Sequence, residues 1–165
     1  MPVDVWDLSE EQLLRQGRDA LWLEKYADAC EALSEYCSRL NRYERPIPPA
    51  ILGYYGLAVG QSRNVREGLK ICLEALSLDR RNANIYLCLA RLYVLAKSKK
   101  NAIDVIAQGL RVSRKHRGLN TLRDLLGVRQ KVPISFLPRE NAVNVGLGRA
   151  FRRLKKKDGP SPAIA

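Results

Sequence analysis

Aromatic side chains are scarce in this chain. Its 165 residues include two Phe, two Trp and seven Tyr. Leu and Ala supply most of the apolar content. That balance argues against a sheet, because strands draw on β-branched and aromatic residues while Leu and Ala favour helices. One histidine, His116, is present. It sits in RKHRG, flanked by cations and with no carboxylate pattern beside it, so a turn histidine is expected rather than a catalytic base. No stretch has the length of a membrane-spanning helix. The opening MPVDVWDLSEE has neither a positive charge nor a long apolar run, which speaks against a secretory signal. The four cysteines, Cys30, Cys37, Cys72 and Cys88, have no close paired spacing. They read as small buried apolar residues in a reducing, cytoplasmic setting, not as zinc ligands or disulfides.

Acidic residues nearly vanish from the last third. Residues 111–165 carry 14 Lys+Arg against 3 Asp+Glu, whereas residues 1–110 carry 15 against 14. The formal net charge of +12 is thus a property of the C-terminal part.

What the sequence does have is helical periodicity. Ser9 and Gln12 form a capping-box pattern that starts a first helix, running to about residue 23. A second spans about 26–40, with Ala29, Cys30, Leu33, Tyr36, Cys37 and Leu40 as its apolar set. NRYERPIPPA then breaks the pattern, and its last prolines suit the first turn of a third helix over about 49–61. Asn64 with Glu67 marks the start of a fourth, ending near 78. Helices are expected over about 84–97, 100–114 and 117–126, the last stopped by Gly127. The remainder divides into a Pro-containing linker over 128–140, a basic amphipathic helix over 141–157 and a tail over 158–165.

The segments repeat. From Ile51 and Ile85, 34 residues apart, the chain aligns without a gap. Leu52 falls on Tyr86, Tyr55 on Leu89, Gly56 on Ala90 and Val59 on Tyr93. Gly68 then falls on Ala102, Cys72 on Ile106 and Ala75 on Gly109. A third copy lies upstream if the Pro-rich turn is a five-residue insertion. Leu13, Gln16, Gly17 and Ala20 fill its first helix, and Ala29, Leu33 and Tyr36 its second. A generic bundle would show apolar periodicity but no fixed period. The small residues Gly56 and Ala90 are expected where paired helices cross. Ala102 and Gly109 are expected to be small because another helix lies against them.

A helix–turn–helix period of 34 residues resembles the tetratricopeptide repeat (TPR) family, over about residues 10–116. Departures are visible: Asn41, Arg80 and Arg114 stand where that family often has Pro, and Leu13, Leu52 and Tyr86 fill its Trp slot. The resemblance implies an all-α, TPR-like α-solenoid. Three helix–turn–helix repeats and a capping helix would occupy residues 1–127, followed by a basic C-terminal extension.

It further implies a non-enzymatic module that binds another protein, as an adaptor, scaffold or assembly chaperone, through a concave surface. Carried over position by position, the groove-facing residues are Leu14, Arg18, Leu21 and Trp22 from the first copy. The second gives Gly53, Leu57 and Gln61, and the third Asn84, Leu87, Arg91, Val94 and Leu95. One branch of the family holds peptide C-terminal carboxylates with Lys and Asn side chains. Most equivalent slots here are Leu, which suits an amphipathic helix better.

In the extension, Val143, Leu147, Phe151 and Leu154 form one apolar stripe. Arg149, Arg152, Arg153, Lys155, Lys156 and Lys157 supply the charge. Gly146 and Gly148 each cost about 1 kcal/mol relative to Ala in a helix. Such a segment would dock on the repeats, bind an anionic partner, whether acidic protein, membrane surface or nucleic acid, or serve only as a solvated basic tail that improves solubility. GLGRAF over 146–151 lacks the strand, closing Gly and Lys-Ser/Thr of a phosphate loop. No triad, metal site or paired-carboxylate spacing is present, so no catalytic residue, cofactor or small-molecule substrate is expected.

Overall fold

The computed structural model describes residues 7–127. They lie in the first of the two units into which the chain divides, Met1–Val128 and Arg129–Ala165. The expected linker, the basic helix with Val143 through Lys157, and the tail all lie outside the described residues. Among the described residues there are seven α-helices and no strand.

The helices are α1 (Glu10–Trp22), α2 (Tyr26–Arg42), α3 (Pro49–Ser62), α4 (Val65–Leu78), α5 (Ala83–Leu95), α6 (Lys99–Val112) and α7 (Arg117–Leu125). Their starts follow local chemistry. The Ser9 hydroxyl accepts from the Gln12 N–H at 3.3 Å, and the Gln12 side chain accepts from the Ser9 N–H at 2.8 Å. This reciprocal cap satisfies two donors that the first turn would leave unpaired. Pro49 opens α3, where a missing N–H costs nothing. Asn64 caps α4 through the Arg66 N–H, not through Glu67, and Asn82 caps α5 through the Asn84 N–H.

Successive helices pack as hairpins, α1 with α2, α3 with α4 and α5 with α6. The first helix of each pair also touches the first helix of the next: α1 meets α3, α3 meets α5, and α5 meets α7. This makes an inner row of α1, α3, α5 and α7 with the second helices behind it. α3 lies against α2, α4, α5 and α1, so it can be apolar around its whole circumference. α7 covers the end of the row by burying Leu119 among Tyr86, Leu89 and Ile106.

The small residues sit at the crossings. A Cβ on Gly17 would lie 2.6 Å from Leu33 Cγ, and one on Gly56 2.8 Å from Cys72 Sγ. A Cβ on Gly68 would lie 2.5 Å from both the Gly56 carbonyl oxygen and Gly60 Cα, so α3 and α4 meet backbone to backbone. At Gly109 it would meet both Tyr86 of the paired helix and Leu119 of α7 at 2.7 Å. The upstream copy is the irregular one. α2 has 17 residues against 14 in α4 and α6, so the inserted residues go partly into an added helical turn.

Three chain reversals place a non-glycine residue in the left-handed region: Glu24 (φ 58°), Glu44 (φ 52°) and Lys97 (φ 56°). Each closes a helix in the same way. The following N–H reaches back five residues, as Lys25 does to Ala20, Arg45 to Leu40 and Ser98 to Tyr93. The left-handed conformation costs an L-residue about 1–2 kcal/mol.

Two outcomes test this packing. Gly68→Ala should destabilise the protein by about 3 kcal/mol, because backbone atoms block the new methyl. Gly60→Ala should cost less, about 1–2 kcal/mol, because its closest obstruction is the Leu92 side chain and not backbone. Equal costs in urea unfolding would contradict the backbone contact. Lys97→Gly should stabilise by roughly 0.5–1 kcal/mol, read as a raised melting temperature.

Candidate functional site

The inner row lines an open groove of about 970 Å³. Its wall belongs to α1, α3 and α5: Glu11, Gln12, Leu14, Arg15, Arg18, Asp19, Leu21 and Trp22, then Tyr54 and Leu57, then Asn84, Leu87, Cys88 and Arg91. Leu57 and Cys88 form a buried floor. Leu14, Leu21, Tyr54 and Leu87 are half-buried above it. Trp22 stands on the rim with 88% of its surface exposed, an unusual state for an indole. Arg15, Arg18, Glu11 and Asp19 make a mixed-charge margin along α1.

Eight residues expected to face the groove lie in this wall: Leu14, Arg18, Leu21, Trp22, Leu57, Asn84, Leu87 and Arg91. Gly53, Gln61, Val94 and Leu95 do not. Gly53 occupies the slot of Leu87 one repeat earlier. With no side chain there, α5 closes over it, and a Cβ would sit 3.3 Å from Ile85 Cγ1. Gln61 and Leu95 are also repeat-equivalent: Gln61 lies beyond Leu57, the wall's last residue on α3, and Val94 and Leu95 lie beyond Arg91, its last on α5. The Arg91 guanidinium donates to the Tyr26 hydroxyl at 2.9 Å and to the Glu24 carboxylate at 3.0 Å. The third hairpin is thereby tied to the turn of the first, and Arg91 is a committed cation rather than a free one. Tyr26 is pushed up from the usual tyrosine range by burial, with Arg91 opposing.

The other residues missed by position counting are polar or concealed by the repeat. Glu11, Gln12, Arg15 and Asp19 sit along α1, and Tyr54 and Cys88 each lie beside an expected position. Gln12 spends its side-chain oxygen on Ser9. Asn84 spends its own on His116, whose Nε2 lies 3.0 Å away. His116 Nδ1 accepts from the Leu119 N–H, so the imidazole caps α7 and carries its proton on Nε2. The turn histidine is a clamp between α7 and the end of the groove wall.

The cysteines are free and buried. Burial pushes the Cys37 thiol up to about 11 and the Cys88 thiol up to about 12, with Arg91 opposing at Cys88. Cys72 is raised further, by burial first and by Cys88 second, and its Sγ donates to the Gly53 carbonyl at 3.4 Å. Among the described residues no cluster of His, Cys, Asp or Glu could hold a metal ion. No described helix is long and apolar enough to cross a membrane.

The shift at Cys37 predicts about a hundredfold lower thiolate fraction than in the unfolded chain near pH 8. A disulfide reagent should therefore label the native protein slowly and the urea-unfolded protein at once. A fast native phase would count against this burial. The same raised values mean that the folded state holds protons the unfolded chain loses above pH 9. Stability should fall from there through about pH 11. Arg91→Ala should cost about 1 kcal/mol in urea unfolding, since it removes one exposed ion pair and one hydrogen bond.

The sequence matches no protein-family model and no curated protein. Solved structures do match it. A TPR domain of OM64 from Arabidopsis is 15% identical with a TM-score of 0.57, covering 72% of this chain and 93% of that one. The Sgt2 TPR domain from Aspergillus fumigatus is 12% identical with a TM-score of 0.58, covering 94% and 88%. The TPR2B domain of yeast Sti1, solved in complex with an Hsp70 peptide, is 13% identical with a TM-score of 0.56, covering 73% and 98%. With three stacked hairpins, small residues at their crossings and these likenesses, the chain has the fold of a TPR domain.

Proposed function

We propose that this chain is a non-enzymatic protein-interaction module that takes an amphipathic helix of a partner protein into the groove of α1, α3 and α5. The observation that carries the reading is the wall itself. An apolar floor of Leu57 and Cys88 rises through Leu14, Leu21 and Leu87 to an exposed Trp22. Exposed apolar surface of this kind marks interaction sites, and tryptophan is among the residues enriched at binding hot spots.

Similar domains take peptides: the yeast Sti1 domain was solved with an Hsp70 peptide, and a human RPAP3 TPR domain with the HSP70 peptide SGPTIEEVD. The wall here favours a different ligand. Asn84 and Arg91 are engaged within the protein, which leaves Arg15 and Arg18 as the wall's cations without a described ion-pair partner. Six leucine-sized or larger side chains, Leu14, Leu21, Trp22, Tyr54, Leu57 and Leu87, dominate what remains. A helix with an apolar stripe satisfies such a surface, and Glu or Asp beside the stripe would meet Arg15 and Arg18. Adaptor, scaffold and assembly-chaperone roles all use such binding.

A second reading rests on charge. The excess of 14 Lys+Arg over 3 Asp+Glu in residues 111–165 suits an anionic partner for the extension, with the repeats as a platform.

The test uses Trp22 as its own reporter, with Trp6→Phe removing the second indole. Titration with a synthetic leucine-rich amphipathic helix should shift the Trp22 emission to the blue and persist at about 0.5 M salt. Trp22→Ala should weaken binding of the same labelled peptide at least tenfold, or about 1.4 kcal/mol. Binding that ignores Trp22, or that disappears with salt, would move the function away from the groove.

A further inference from the structure

The groove wall ends at Asn84, and a second surface begins there. The α4–α5 turn carries Arg80 and Arg81. The α6–α7 turn, 34 residues on, carries Arg114 and Lys115, and Arg117 opens α7. All five are exposed, and none has an ion-pair partner among the described residues. The equivalent α2–α3 turn differs: its Arg45 is paired with Glu10. The only carboxylate within 79–82 and 113–117 is Asp79, which accepts from the Arg81 N–H at 2.9 Å.

The two turns are held side by side. Tyr86 donates to the Arg80 carbonyl at 3.1 Å, and its ring lies against Gly109 of α6. Asn120 donates to the Arg114 carbonyl at 3.0 Å. His116 bridges to Asn84 at 3.0 Å, and Gly118 packs on Leu87, which is itself a groove residue. The backbones are thus fixed while the cations point outward, which lowers the ordering cost of binding. Beside these turns two apolar residues at the ends of α4 and α6, also 34 apart, stand open: Leu78 at 61% and Val112 at 41% exposure.

We propose that this edge is a second docking surface, built to take an acidic, leucine-containing segment of the same partner polypeptide whose helix fills the groove. The single-partner part rests on the groove reading; the edge itself does not. The turns lead into α5 and α7, which touch, and neighbouring helices lie about 8–10 Å apart, which sets the scale of the spacing between the two cation pairs. An extended chain rises about 3.3 Å per residue and can present a carboxylate to each turn from positions three apart. Arginine matches a carboxylate in bidentate fashion. Leu78 and Val112 then receive the apolar side chains between. Nucleic acid fits less well. The two turns hold no aromatic residue for base stacking, and their five cations fall short of the roughly six to ten phosphate contacts of a strongly salt-dependent binder.

The test is fluorescence anisotropy of a short labelled peptide of glutamates and leucines with the full chain, at about 0.1 M salt. The triple variant Arg81→Ala, Arg114→Ala, Lys115→Ala should weaken binding about tenfold. Leu78→Ser should weaken it by about threefold, which charge alone would not. A control triple on the opposite edge, Lys97→Ala, Lys99→Ala, Lys100→Ala, should stay within about twofold. All these side chains are exposed, and unchanged melting curves will show that the variants fold. Equal losses in the two triples, or loss in neither, would overturn the proposal. So would tighter, equally triple-sensitive binding of duplex DNA or of phosphatidylserine vesicles. Trp22→Ala should leave the affinity for this peptide unchanged, so a failed groove and a failed edge give different results.

Discussion

Everything in the repeat array is hung on one close approach, that of α3 and α4. Gly68 faces the Gly56 carbonyl and the Gly60 backbone at distances no side chain could occupy. Helices that usually pack 8–10 Å apart are drawn to the lower end of that range by such contacts. The central hairpin is therefore thin, and its neighbours settle against it on both sides. α2 packs on one face of α3 and α5 on another. Because α3 is clasped this way, Tyr54 and Leu57 line the cavity between α1 and α5 while Leu57 also remains part of the core.

Much of this architecture could be read from the sequence because the signals were local or periodic. Ser9 with Gln12, Pro49 and Gly127 mark helix ends by chemistry confined to a single turn. The 34-residue match of Gly56 with Ala90 and of Ala75 with Gly109 is legible because a crossing restricts volume at one position per helix, whatever the neighbours are. Departures arose where a contact depends on partners far apart in the chain. Arg91 looks like a free groove cation until Tyr26 and Glu24, 65 and 67 residues away, are seen beside it. Gly53 looks like a groove position by register, yet lacks the atoms to hold α5 off. His116 has no capping-box signature, because a ring nitrogen does what a serine or aspartate oxygen usually does.

The groove and the basic edge differ in how the fold supports them. The groove is assembled from three hairpins, and its floor is core. Leu57 and Cys88 would be buried for stability alone, so in the proposed binding the contacts fall to what stands above them, Trp22 most of all. The edge is made of turns whose backbones are pinned by Tyr86, Asn120 and His116 while the charged side chains carry no internal duty. One surface is coupled to folding and the other is free of it. Substitutions should therefore accumulate differently on the two.

The tie from Arg91 to Tyr26 and Glu24 alters how the array comes apart. A stack in which each unit touches only its neighbours can fray from either end, one hairpin at a time. Here the first hairpin is also fastened to the third. Peeling either one away breaks a bond to a unit two places distant, so partial states lose something that a linear stack would keep. The bond is modest, about 1 kcal/mol at most for a partly exposed pair. Its effect is on cooperativity: it favours loss of the three hairpins in one step over separate melting from the ends.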